Sequence, residues 1–124
     1  MDIVNLSTTI SFTTKDGSSI RELLSHRNSG IRNQSLAEAT VPPGVTTLAH
    51  YHPCSEEIYY ILSGQGKMHL GEAVQEVGPG DAIAIPPGVV HWIENSKDLD
   101  LVFLCCCAPG YEHSDTVIVD NSKR

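Results

Sequence analysis

Apolar and polar positions along this chain alternate in short runs, and helical spacing is rare. Runs rich in Val, Ile, Tyr and Thr are separated by clusters of Gly and Pro at "VPPG" (41–44), "SGQG" (63–66), "LGE" (70–72), "VGPGD" (77–81), "IPPG" (85–88) and "APG" (108–110). The spacing predicts strands at 34–41, 45–52, 57–63, 66–70, 73–77, 82–85, 89–94 and 99–107. Only "SIRELLSHR" admits a short helix, and the same residues also suit an N-terminal strand. Many short strands at near-regular spacing predict an all-β sandwich or barrel. The tail "DNSKR" reads as frayed.

Alternation within one strand says more. Side chains of a strand point to opposite faces in turn. Over 57–62, Glu57, Tyr59 and Ile61 share one face, and Ile58, Tyr60 and Leu62 share the other. Both faces are apolar apart from Glu57, so both should be covered. In a barrel this small one face looks inward. The other calls for a second sheet, a terminal arm or a partner subunit, and a homodimer is the expectation.

Composition narrows the class. A chain of 124 residues reads as one domain, 1–124, long enough for a core without staples. The net charge of −7 and eight scattered basic residues argue against nucleic acid as the main partner. The start has no basic region followed by an apolar run, and no stretch approaches a membrane span. The four cysteines are Cys54 and the run Cys105, Cys106 and Cys107. They form neither a disulfide framework nor a zinc-finger spacing, which points to free thiols and a cytoplasmic setting. In the run, cysteine reads chiefly as a small hydrophobe of a buried strand; whichever face looks inward would line the interior with thiol.

The chemistry concentrates in "HYHPCSEEIYYILSGQG" (50–66). His50 and His52 lie two apart, hence on one face of an extended segment. Pro53, Cys54 and Ser55 break that segment, and an antiparallel return brings Glu57 back towards the imidazoles. His91, after the rigid turn "IPPGVV", is a fourth candidate. Two or three imidazoles and a carboxylate suit a divalent first-row metal.

These residues lie in a wider pattern. Gly44, His50, His52, Glu57 and Gly64 reproduce the first motif of the cupin superfamily, and Gly80, Pro86, Gly88, His91 and Asn95 reproduce the second. Motif 1 spans 44–64, motif 2 spans 80–95, and fifteen residues separate them. The chain thus resembles a small single-domain cupin. The resemblance implies a double-stranded β-helix, or jelly-roll barrel, with a metal held inside by His50, His52, Glu57 and His91. It does not imply one reaction. Dioxygenases, decarboxylases, isomerases and epimerases, lyases, cyclases and non-catalytic binding or sensor modules share this fold.

The expected reading is a metalloenzyme acting on a small organic molecule in the barrel interior, with a metal-dependent binding or sensor module as the alternative. Iron or manganese suits the mixed donor set best, with nickel, zinc and copper behind. With Glu57 committed as a ligand, no catalytic acid or base is identified; Tyr59, on the same face, is the weak candidate. Tyr59, Gln34, Arg21 and Phe103 are candidates for touching substrate. The segment "GYEHSDT" is placed at the barrel mouth, Gly64, Gly66, Gly80 and Gly88 at turns of positive φ, and Asn95 in a side-chain-bonded turn. Cys54 lies in the loop beside the site.

Overall fold

The computed structural model describes residues 1–119; the tail at 120–124 lies outside the described residues. Eleven strands run in chain order: β1 (Phe12–Thr13), β2 (Ser19–Leu24), β3 (Ser35–Val41), β4 (His50–Tyr51), β5 (Glu56–Ser63), β6 (Gly66–Leu70), β7 (Ala73–Val77), β8 (Ala82–Ile85), β9 (His91–Glu94), β10 (Leu101–Ala108) and β11 (Val117–Ile118). Single 3-10 turns occupy Leu6–Thr8 and His113–Asp115. One antiparallel sheet has the order β1-β2-β3-β10-β5-β8, and the other β11-β4-β9-β6-β7. Two sheets of this order closing on one interior form the cupin double-stranded β-helix expected from the motifs.

The expected helix or strand at "SIRELLSHR" is strand β2. The expected strand at 45–52 is mostly not a strand. Its backbone hydrogen bonds go elsewhere: Leu48 N–H donates to Asp16 O at 2.7 Å, and Thr47 N–H to Ile93 O at 3.0 Å. His50 and Tyr51 form the short strand β4, paired with β11 on one side and β9 on the other, and Thr46 keeps a single bridge to Glu94.

The interior grades from packed to hollow. Inward side chains run Val41, Ala39, Ala37, Ser35 along β3 and Leu101, Phe103, Cys105, Cys107 along β10. Both rows end in small residues at one end, and at the other Val41, Ile61, Ile93 and Leu101 fill the interior at 1% exposure or less. Each such side chain contributes roughly 1.5–3 kcal/mol by leaving water. The small residues leave room for a cavity at their end. On β5, the inner row Glu57, Tyr59 and Ile61 is buried, as alternation predicts. Its outer row is not covered by the described residues: Ile58, Tyr60 and Leu62 are 50%, 42% and 43% exposed.

Asn95 ties the end of β9 to the loop before β10. Its side-chain amide donates to Val41 O at 2.9 Å and Leu99 O at 2.8 Å, and its oxygen accepts from Lys97 N–H at 3.0 Å. The expected turn role is therefore observed, with a long-range bond to β3 added. Asn95→Ala removes three hydrogen bonds from a residue 1% exposed. A loss of about 2–4 kcal/mol in urea unfolding is expected, since buried groups left without partners cost about 1–3 kcal/mol each.

Candidate metal centre

Strand register builds the site. His50 on β4 stands directly opposite His91 on β9. His52 follows His50 on the same side, and the turn before His91 is pinned by Gly88 N–H donating to His52 O at 2.8 Å. Glu57 comes from the other sheet, on β5, and faces this pair across the interior. All four are buried: His50 3%, His52 4%, Glu57 6% and His91 0% exposed.

Each imidazole is oriented from behind by a backbone carbonyl. His50 Nδ1 lies 2.8 Å from Leu48 O, His52 Nδ1 3.0 Å from Asp115 O, and His91 Nδ1 3.0 Å from Val89 O. A carbonyl only accepts, so each Nδ1 carries the hydrogen and each neutral ring turns the lone pair of Nε2 inward. The three rings bring their ligand atoms within 4.8 Å of one another. Glu57 Oε1 stands 3.4 Å from Nε2 of both His52 and His91. Glu57 Oε1 and His91 Nε2 have no hydrogen-bond partner among the described residues. Four acceptor atoms thus converge with no donor between them. Buried acceptors in that arrangement repel one another unless a cation joins them, and the donor set fits a divalent transition metal.

Without a cation, a proton taken up by the site replaces it between the imidazoles and Glu57. Burial opposes ionisation of Glu57, but His52 and His91 outweigh it and hold the carboxyl down, to about 2. Burial also opposes a charged His52, yet Glu57 and the Asp115 carbonyl raise it overall. Burial and His91 lower His50. In metal-free protein, ionised Glu57 therefore stabilises the fold fully above its ordinary value of 4.5, and this is lost as pH falls towards 2. Urea unfolding of metal-free protein between pH 5 and about 3 should show a shallower loss of stability for Glu57→Gln than for the parent.

The thiols have distinct places. Cys107 Sγ donates to Glu57 Oε2 at 3.3 Å, leaving Oε1 directed at the histidines. Cys105 and Cys107 line the cavity, and Cys106 lies on the outer face, exposed. Burial and Glu57 push both buried thiols well up, so neither is a nucleophile at neutral pH. Cys54 is exposed beside Asp115, whose carboxylate raises its thiol too.

The cavity over the histidines holds about 620 Å³ of empty space, open mouth included. Tyr59 and Phe103, both expected at the ligand, line it with ring centroids 4.5 Å apart. Burial pushes the Tyr59 phenol well up, so it remains a donor. Arg21 and Gln34 do not reach the cavity. Inward positions are Ile20 and Glu22 on β2 and Ser35, Ala37 and Ala39 on β3, so both candidates have the wrong parity. Arg21 lies 3.8 Å from Glu38 on the outer face, and Gln34 is exposed.

Asp16, Tyr111 and Thr116 are among the lining residues that the sequence did not single out. Tyr111 and Thr116 belong to the segment expected at the mouth, which is clamped there. Asp115 accepts from Cys54 and Ser55 N–H, both at 3.0 Å, and Lys15 Nζ donates to His113 O and Thr116 O. Asp16 sits in a β1–β2 turn that reads in the sequence as an ordinary Asp-Gly turn.

The Cupin domain family profile matches residues 37–107. An uncharacterized protein of Methanocaldococcus jannaschii is 54% identical over 111 residues, covering 88% of this chain and 87% of its own. The polyketide cyclase RemF of Streptomyces resistomycificus superposes with a TM-score of 0.80 at 26% identity, covering 97% of this chain and 86% of its own. A predicted oxalate decarboxylase of Thermotoga maritima gives 0.75 at 28% identity, covering 86% and 98%. With both motifs, the barrel and a buried histidine triad in place, the chain belongs to the cupin family.

Proposed function

We propose that this cupin is a metal-dependent enzyme acting on a small organic molecule inside the barrel. The observation that carries the reading is the convergence of three Nε2 lone pairs and the partnerless Glu57 Oε1 on one buried point. His50, His52, His91 and Glu57 would hold the ion, with iron or manganese suiting three imidazoles and one carboxylate. When bound, it would supply Lewis acidity or a redox centre. The remaining groups bind and exclude. Phe103, Ala37 and Ala39 present an apolar wall that displaces water, and Tyr59 offers a neutral phenol hydrogen to a ligand oxygen. The raised thiols of Cys105 and Cys107 leave no activated cysteine in the cavity, which favours chemistry centred on the ion over covalent catalysis.

The test is elemental analysis of purified protein, then a panel of small hydroxy acids, diketones, phenols and sugars monitored for product and O2 uptake. About one transition metal per chain and turnover of a panel member are expected. No metal after reconstitution would overturn the reading. Metal and ligand binding without turnover would convert it to a binding module.

A further inference from the structure

The cavity wall is uneven in charge. Its lining includes the carboxylates of Asp16, Glu22 and Glu57 but, among the described residues, no Lys or Arg. Lys15 and Arg27 lie near the mouth, and both are committed elsewhere. Lys15 binds the carbonyls of His113 and Thr116 at 3.0 and 3.1 Å. Arg27 pairs with Glu22 and Glu112 and donates to Tyr111 O, so Glu22 is compensated. Asp16 is not. Its Oδ1 accepts from Thr14 Oγ1 at 2.6 Å, Ser18 N–H at 2.9 Å and Ser18 Oγ at 2.7 Å. Those bonds fix the carboxylate in place. Its other oxygen, Oδ2, takes no hydrogen bond among the described residues and lies 3.9 Å from His50 Nε2, over the histidine floor.

A second free group faces the same space. Tyr59 is 4% exposed, and its hydroxyl forms no hydrogen bond among the described residues. The cavity thus offers one phenol donor and one fixed carboxylate acceptor beside the histidines. A small molecule carrying a carbonyl and a hydroxyl completes both: Tyr59 donates to the carbonyl oxygen, and the ligand hydroxyl donates to Asp16 Oδ2. A dicarboxylate can accept from Tyr59 but leaves Asp16 unsatisfied. It has no hydrogen for Asp16, and it meets a carboxylate where a recognition site for anions would place Arg or Lys. The charges of Glu57 and Asp16 also balance a divalent ion, so an uncharged ligand leaves the buried site neutral and a dianion does not.

We propose that Asp16 sets specificity here, selecting a small uncharged hydroxy-carbonyl ligand and rejecting dianions such as oxalate. This rests on the metal-dependent reading above and names its ligand class. Asp16→Asn is the informative variant. Its amide keeps an oxygen for Thr14 and Ser18 but replaces the ligand-facing acceptor with a donor and removes the charge.

The experiment is calorimetric binding of dihydroxyacetone and of oxalate, which are similar in size, to Mn(II)-loaded protein whose metal content is measured first. Parent protein should bind dihydroxyacetone. Asp16→Asn should weaken it about tenfold and tighten oxalate about tenfold, opposite movements that a general loss of structure does not produce. If Asn disturbs the turn, Asp16→Ser keeps a short acceptor for Ser18 N–H and gives the same comparison. Affinities that move together or not at all, or binding of neither probe to metal-loaded protein, would overturn the proposal while leaving the metal reading intact. Failure to load metal would instead overturn the metal reading.

Discussion

His91→Ala is expected to reduce bound metal from about one ion per chain to near background, with the barrel still folded. His91 is wholly buried, and its ring lies 4.3 Å from that of His50 and 5.6 Å from that of His52. Its Nε2 has no hydrogen-bond partner among the described residues, and its Nδ1 is held by Val89 O. Losing even an outer partner of a metal ligand typically costs about 10–100-fold in affinity, so losing the ligand should cost at least the upper end of that range. The fold should survive because the packed half of the barrel, around Ile61, Ile93 and Leu101, does not depend on the ring. The control is His69→Ala. That histidine stacks on Trp92 and bonds Glu94 at 2.5 Å, away from the cavity, and its loss should leave metal content unchanged. Unchanged metal in His91→Ala would remove His91 from the ligand set.

The two motifs made this site readable because their intervals encode strand register. The single residue between His50 and His52, and a Pro-Gly turn before His91, place the three rings on one interior face without further information. The β5 alternation was equally direct: Glu57, Tyr59 and Ile61 could only share a face. Parity failed where the absolute direction of a face was unknown. Arg21 and Gln34 are each one position off the inward row of their strands, and nothing local to either says which row is inward. Gly66 was placed at a positive φ; its φ is not positive, and glycine is needed there for space. A Cβ would meet Leu101 Cδ2 at 2.8 Å and Glu94 O at 3.1 Å.

Asp16 illustrates a different limit. Its turn is legible, but its position over the histidines depends on contacts far along the chain. Leu48 N–H bonds its carbonyl, and the neighbouring Lys15 reaches His113 and Thr116. The strand misread at 45–52 has the same cause, because its donors are drawn to the N-terminal turn and to β9 rather than to a strand ladder. Long-range backbone pairing, which no local pattern records, thus decided both the shape of the mouth and the charge that lines it.

Gly64→Ala is expected to prevent stable folding, whereas Gly80→Ala should cost only about 1–2 kcal/mol. Both glycines belong to the motifs and both have positive φ, +80° and +91°. The backbone strain is therefore similar, and the surroundings decide. Around Gly80 an added Cβ meets nothing within 4 Å. At Gly64 it would lie 2.3 Å from Asp100 O, 2.9 Å from Leu101 Cα and 3.1 Å from Asp100 C. All three are backbone atoms at the start of β10, the strand that pairs with both β3 and β5. No rotamer change can relieve such a clash, so the β5–β6 turn or the entry to β10 must shift. Either movement drags Leu101, wholly buried in the packed half of the interior. Thermal unfolding followed by circular dichroism should show no cooperative transition for Gly64→Ala and a modestly lowered one for Gly80→Ala. Equal, small losses for the two would mean that positive φ alone explains both glycines, and that the approach of Asp100 to Gly64 carries no energetic weight.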